Sequence, residues 1–400
     1  MVRHSERNGA NRSRTAWWLA LIAGGLLVHS ALVRDAAAQT IGFKPHPTII
    51  DDCGNVQGIC CPGPLIWGFD PYGGCDHCSD CLGDCRTGFI AHRPSSWYGA
   101  VDIVALTVNR SDPVEFARVG PTGDAVLTTS SLRPEYNAGN RVTIGRTFGG
   151  CVQIDASFLG NFGWQDSQLA ASAAGDLSSI LTGFTDPADA VLDNNNLVSV
   201  SLASKMTTAE VNVRTWLQMQ PSVFDIQVLA GLRYFAASDQ LQFHSQGTRA
   251  NLADIAQNDV SVATDNDLYG LQVGTNAKWL LHRLCYLNFE GKVALCENFV
   301  TQSTSYVSTD GNGVAAAAIT TNNSTSRTTL LGDLQLTCAF QIRPNWAVQF
   351  GYQALFVNGL ATAPQNLPSN SFLLNNGIGQ FRDDGNLVYH GPTLGMVGAW

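Results

Sequence analysis

The stretch "VFDIQVLAGLRYF", Val223 to Phe235, alternates apolar and polar residues over its whole length. Phe224, Ile226, Val228, Ala230, Leu232 and Tyr234 fall on one side of an extended chain, and Asp225, Gln227, Gly231 and Arg233 on the other. Successive side chains of a strand point to opposite faces, so the pattern predicts a two-faced strand. "CVQIDASFLGNFGW", Cys151 to Trp164, repeats it, with Val152, Ile154, Ala156, Phe158, Phe162 and Trp164 against Gln153, Asp155, Ser157 and Asn161. So does "NWAVQFGYQALFV", Asn345 to Val357, with Trp346, Val348, Phe350, Tyr352, Ala354 and Phe356 against Gln349, Gly351 and Gln353. Strands of globular proteins usually run ~5–6 residues, and these are about twice as long. A long strand with one apolar and one polar face fits a transmembrane β-barrel.

The same reading along the chain predicts ten strands: 97–108, 140–148, 151–164, 209–219, 223–236, 266–278, 283–296, 328–342, 345–358 and 386–400. Their connections alternate in length. Short turns fall at 149–150, 220–222, 279–282 ("WLLH") and 344–345. Long loops rich in Asn, Asp, Ser, Thr and Gly fall at 109–139, 165–208, 237–265, 297–327 and 359–385. Short turns at one rim and long loops at the other are the wiring of an outer-membrane barrel. An open sheet edge would leave backbone groups unpaired in hydrocarbon, so the first strand is expected to pair with the last. The fold expected is all-β: a closed antiparallel barrel of about ten strands. Trp97, Trp164, Trp346 and Trp400 sit near strand ends, where interfacial aromatic girdles form.

Four stretches resemble a known family. They are "LAGLRYFAASDQLQF" (229–243), "NDLYGLQVGTNAKW" (266–279), "LLGDLQLTCAFQIRPNWAVQFGYQALFVNGLATAPQNL" (330–367) and "LVYHGPTLGMVGAW" (387–400). Together they are similar to the beta-barrel porin-7 family of bacterial outer-membrane proteins, over most of residues 96–400. The resemblance implies the barrel fold and an outer-membrane location more firmly than it implies transport.

The N-terminus agrees with export. Arg3, Arg7, Arg12 and Arg14 precede the apolar run "AWWLALIAGGLLV" (16–28), and Ala36 to Ala38 offer an A-x-A cleavage site. Residues 1–38 are therefore expected to be a signal peptide, 39–95 a Cys/Gly/Pro-rich segment lying in the periplasm, and 96–400 the barrel. Outer-membrane lipid and, during biogenesis, the barrel-assembly machinery are the expected partners. The chain is acidic, with a formal charge of −9, and this argues against nucleic acid, which needs a basic surface.

The segment before the barrel holds seven of the 11 cysteines: Cys53, Cys60, Cys61, Cys75, Cys78, Cys81 and Cys85. Cys75 to Cys85, "CDHCSDCLGDC", have the C-x2-C-x2-C-x3-C spacing of a ferredoxin loop, but Arg86 stands where that loop has proline and no second run exists. C-x2-C spacing with His77 would also suit zinc. An oxidising compartment and a short segment without an apolar core favour disulfides, with no metal and no other cofactor. Cys151, Cys285, Cys296 and Cys338 are scattered singly.

Strand parity assigns an inward, polar set: Arg141, Gln153, Asp155, Asn212, Arg214, Asp225, Gln227, Arg233, Glu290, Lys292, Asp333, Gln335, Gln349 and Gln353. In a narrow barrel these mixed charges either pair across the lumen and fill it or line a small pore. Two readings of function follow: a pore for small solutes, and a plugged structural or surface-interaction barrel displaying long extracellular loops. A hydrolase at the long-loop rim, using His244 or His390, is a third class, but no G-x-S-x-G, H-E-x-x-H or comparable motif supports an enzyme.

The mature chain is expected to begin at Gln39. Mass spectrometry of non-reduced protein should find most of Cys53 to Cys85 paired, without stoichiometric zinc or iron. Several free thiolates with one zinc per chain would reverse the assignment.

Overall fold

The structure is a computed structural model that describes residues 96–132, 134–148, 152–185, 192–217, 224–248, 255–282, 284–309, 315–343, 345–370 and 381–400. The expected signal peptide and the cysteine segment, with all seven of its cysteines, lie outside the described residues. The strands are β1 (Ser96–Arg110), β2 (Glu115–Val119), β3 (Ala125–Thr128), β4 (Asn137–Phe148), β5 (Val152–Ala171), β6 (Leu177–Ser179), β7 (Asn195–Trp216), β8 (Phe224–Thr248), β9 (Ile255–His282), β10 (Cys285–Thr309), β11 (Ala315–Arg343), β12 (Trp346–Leu360) and β13 (Gly385–Ala399).

Ten of them form one ring. Each strand pairs antiparallel with the next in the order β1, β4, β5, β7, β8, β9, β10, β11, β12, β13, and β13 pairs back onto β1. The closing ladder runs from Tyr98 opposite Ala399 to Arg110 opposite Leu387. Every strand of the ring therefore has a partner on both sides, as a spanning sheet requires.

The outer face explains why these sequences alternate. Leu232, Leu271, Leu295 and Leu330 lie directly opposite one another on β8 to β11 and all are exposed, Leu271 at 69%. Aromatic residues bracket this belt. On one side Tyr269 packs 5.0 Å from Tyr234 and 6.2 Å from Phe299. On the other lie Trp279, Trp346, Trp400 and Trp97, with the Arg146 guanidinium over the rings of Trp97 and Phe148. From Tyr269 to Trp279 is ten residues along β9. At ~3.4 Å per residue and a tilt of about 40°, that is roughly 25 Å, the height of an outer-membrane apolar band.

Three expectations need correction. The strands continue far past the predicted ends on the long-loop side. Segments read as loops at 165–208, 237–265 and 297–327 are mostly extensions of β5, β7, β8, β9, β10 and β11. Ser, Thr and Gln replace aliphatic residues on the outer face there, so the apolar-outward alternation ends, and on β7, β8 and β9 inward apolar residues such as Val200, Leu241 and Val260 take its place. The remaining loop chain is also partly ordered: β2 and β3 form a hairpin, β2 pairs β6, and β6 joins β7. "WLLH" (279–282) belongs to β9, which ends at His282, and β10 begins at Cys285.

The third correction concerns parity on β5. The register shifts between Leu159 and Phe162, and Asn161 adopts a left-handed φ of 67°. The bulge inserts extra chain and exchanges the faces beyond it. Phe162 and Trp164, predicted to face outward, therefore point inward, and Asn161 is exposed. The Trp164 indole N–H donates to the Leu106 carbonyl at 2.9 Å, so this residue belongs to the interior and not to a girdle.

Val273 lies on the outer face midway between Tyr269 and Trp279 and is 63% exposed. Arginine at such a position costs about 2–4 kcal/mol at the bilayer midplane. Val273→Arg should lower the urea midpoint of folding into lipid vesicles, whereas Thr301→Arg, on the extension, should not. Equal tolerance of both would remove the apolar band from the account.

Candidate functional site in the barrel interior

The inward side chains of the lower half, where the short turns lie, form one charged cluster. Arg214 on β7 contacts Asp155 on β5 and Glu290 on β10, each at 2.5 Å. Lys292 on β10 contacts Glu210 at 2.7 Å, Glu290 at 3.0 Å and Asp333 at 3.5 Å. Arg233 on β8 reaches Asp333 on β11 at 3.0 Å and Glu210 at 3.3 Å. Arg141 on β4 lies 3.7 Å from Asp102 and donates to Gln335 at 3.0 Å and to Gln353. Several of these contacts skip two or more intervening strands, so they cross the barrel. Five carboxylates thus face four cations.

Side-chain amides complete the cluster. Gln353 donates to Asp333 at 3.0 Å, Gln349 to Asp102 at 2.5 Å, and Asn276 to Glu290 at 3.0 Å. Asn212 donates to Asp155 and accepts from Gln272. Charges removed from water are tolerated only with such partners. Two close approaches depend on glycine. A Cβ at Gly274 would lie 2.8 Å from Lys292 Cγ, and one at Gly395 would strike the Asp102 carboxylate.

Of the fourteen residues predicted to point inward, Arg141, Asp155, Asn212, Arg214, Arg233, Glu290, Lys292, Asp333, Gln335, Gln349 and Gln353 meet in this cluster. Gln153 and Gln227 are buried beside it. Asp225 stands apart near the turns, accepting from the Trp216 indole at 3.2 Å. Asp102, Glu210, Gln272 and Asn276 were missed. They share the inward parity of their strands, so the same alternation, applied to β1, β7 and β9 in full, would have found them.

Above the charges the interior turns apolar. Leu106, Leu159, Phe162, Trp164, Met206, Phe235, Leu268, Leu331, Leu355 and Tyr389 belong to one buried cluster drawn from strands around the ring. Over it Arg110 on β1 spans to Asp239 on β8 at 3.1 Å and to Ser204 at 2.6 Å. The chain after β12 then turns into the barrel. Residues Ala361 to Leu367 are buried, and Asn266 accepts from the Ala361 N–H at 2.8 Å and donates to its carbonyl at 2.9 Å. Asn298 donates to the Gly359 carbonyl at 3.1 Å. Beyond this, β2, β3, β6 and the turns beside them pack into a second apolar core with the extensions of β7 to β10.

The outer face of the extension carries a groove of about 860 Å³ lined by Ser199, His244 and Asp259 among others. His244 Nδ1 lies 2.8 Å from Asp259, and Ser199 is the cross-strand partner of His244 on its other side. The backbone around them is engaged in the ladder and leaves no paired N–H donors for an oxyanion. His390 lies between the Tyr352 hydroxyl at 2.6 Å and Asn109 at 2.9 Å, on the outer face.

Among the described residues, Lys292 is the one cation that touches three carboxylates. Removing one partner from a buried charge cluster costs about 3–5 kcal/mol. Lys292→Met should reduce the unfolding free energy in vesicles by that order, and adding Glu210→Gln should recover part of the loss. An unchanged urea midpoint for the single variant would show that Lys292 is hydrated, not buried among charges.

The stretches that carried the family resemblance supply Arg233, Gln272, Asp333, Gln335 and Gln353 and the inserted residues 361–367. Among solved structures, the chain is similar to the outer membrane protease OmpT from Escherichia coli, at 11% identity over 78% of this chain and 98% of that one, with a TM-score of 0.43. It is also similar to a major outer membrane protein from Thermus thermophilus, at 12% identity, 76% and 99% coverage and a TM-score of 0.27. The P. putida toluene transporter TodX aligns at 8% identity, 77% and 90% coverage, with a TM-score of 0.29. No curated protein sequence matches. The family model described as "Putative beta barrel porin-7 (BBP7)" matches residues 113–378, well over half of the chain, and with the closed ten-strand ring it assigns this protein to that outer-membrane β-barrel family.

Proposed function

We propose that the protein is a closed outer-membrane barrel that carries a tall β-rim for contacts at the cell surface and does not pass solutes through its interior. The observation behind this reading is the stacking of three barriers along the axis: the paired charges, the apolar layer around Phe235 and Leu355, and the inserted segment 361–367. Each barrier is built from different side chains at a different height along the same ring of strands, so rotation of a side chain in one leaves the others in place. Ten strands enclose little more room than the eight that side chains fill unaided.

The rim gains height from β7 to β11, whose strands of 22 to 29 residues exceed the roughly 10 needed to cross the apolar band. Its outer face is mostly Ser, Thr, Asn and Gln, which suits water and polar partners. With β1 starting on the short-turn side, residues 39–95 would lie in the periplasm. Lipid around the Leu232–Leu330 belt and the barrel-assembly machinery are the partners this placement implies. His244 and Asp259 sit on strands whose backbone N–H groups are committed to the ladder, which supports a contact surface there over a hydrolytic site.

The pore reading, which the family's name suggests, draws support from the polarity of the lower layer. Planar-bilayer recording of refolded protein separates the two. A closed barrel gives no discrete conductance steps. Stable steps in the wild type, with ion preference shifted by Asp333→Asn, would establish a pore and overturn this proposal.

A further inference from the structure

Cys285 and Cys338 are 53 residues apart in sequence, yet their sulfur atoms lie 3.7 Å from each other. Cys285 opens β10, and Cys338 lies near the short-turn end of β11. In the ladder Cys285 is opposite Phe340 and Cys338 is opposite Leu287, so the two thiols are diagonal neighbours. Both alternate with inward residues, Tyr286 beside one and Ala339 beside the other, and both therefore face outward, among Leu336, Phe340 and Phe350. Cys296, the remaining described cysteine, is buried inside the barrel and meets neither.

We propose that Cys285 and Cys338 form a disulfide that staples β10 to β11 near the short-turn rim. The sulfurs must approach by about 1.7 Å to reach the ~2.05 Å of a bond. Diagonal pairs in a ladder are wider than directly opposite ones, so some backbone adjustment is required. The chain can supply it at this point. Cys285 is the first residue of its strand, next to a turn, and the register with β9 is irregular between Cys285 and Tyr286.

The compartment supplies the chemistry. An outer-membrane barrel reaches its place through the periplasm, where dithiols are oxidised by exchange with protein disulfides. One cysteine thiolate attacks the incoming disulfide and releases one of its sulfurs as a thiolate. The second cysteine thiolate then displaces the other from the mixed disulfide. A Cys285–Cys338 bond forms, the incoming disulfide bond breaks, and the two protons and two electrons end on the oxidant, which leaves as a dithiol. Once the barrel is inserted, the bond sits at the edge of the apolar belt, away from dissolved thiols. Its persistence therefore does not require continued oxidation.

The test uses full-length protein from outer membranes isolated in the presence of N-ethylmaleimide, denatured in excess reagent and digested without reductant. A peptide containing Cys285 should be found cross-linked to one containing Cys338 and should separate on reduction. In Cys338→Ser, the Cys285 peptide should become alkylated, a gain of one reactive thiol per chain. If wild-type Cys285 and Cys338 are both alkylated, Cys338→Ser instead loses one reactive thiol and the proposal fails. It fails equally if either cysteine is found linked to a third. The wild-type peptide map decides the matter even where the serine variant does not assemble. Recovery from the outer-membrane fraction keeps a failure here separate from a failure of localisation.

Discussion

Backbone hydrogen bonding in hydrocarbon is the constraint on which the rest of this molecule depends. A peptide group without a partner there costs several kcal/mol, so the ladder between β1 and β13 is obligatory, and with it the ring of ten strands. Ring size sets the width of the interior. Width in turn decides that long side chains from opposite walls meet: Arg110 reaches Asp239, and Arg233 reaches Asp333. Inward glycines such as Gly274 and Gly395 adjust the fit where a cation or carboxylate needs the space of a side chain.

The charged layer follows from the same narrowness. Each charge loses water on assembly, and the loss is offset only by partners of opposite sign and by amide donors. Asp333 receives both, from Lys292, Arg233 and Gln353. The layer also separates alternatives. A shift of one strand by one residue would turn Arg233 or Lys292 toward the apolar belt, so paired charges hold the register. In the upper half, apolar packing around Trp164 and Tyr389 and the buried residues 361–367 take over that task.

The ring and most of the inward residues could be read from alternation, because one face meets hydrocarbon and the other does not. The signal ends where the environment changes. Above Tyr234 and Tyr269 the outer face turns polar while the inner face carries the apolar cores, and Ser/Thr-rich stretches such as "TTNNSTSRTT" read as loop while they continue β11. The bulge at Asn161 is invisible to a strict period of two, and it sent Phe162 and Trp164 to the wrong face. Residues 361–367 carry no strand pattern at all: the backbone of Ala361 is held by the Asn266 side chain from another strand and not by a ladder. The approach of Cys285 to Cys338 depends on the pairing of β10 with β11, which spacing in sequence does not express.

Cys296 offers a direct probe of the filled interior. It sits in the apolar layer, faces inward from β10 and is 2% exposed. The measurement is the rate at which a small hydrophilic methanethiosulfonate labels Cys296 in the folded barrel, followed by peptide mapping. A filled interior predicts no labelling until the barrel is unfolded. Labelling of the folded protein at the rate of an exposed thiol would mean that water reaches the middle of the barrel, and the closed-barrel account would be wrong.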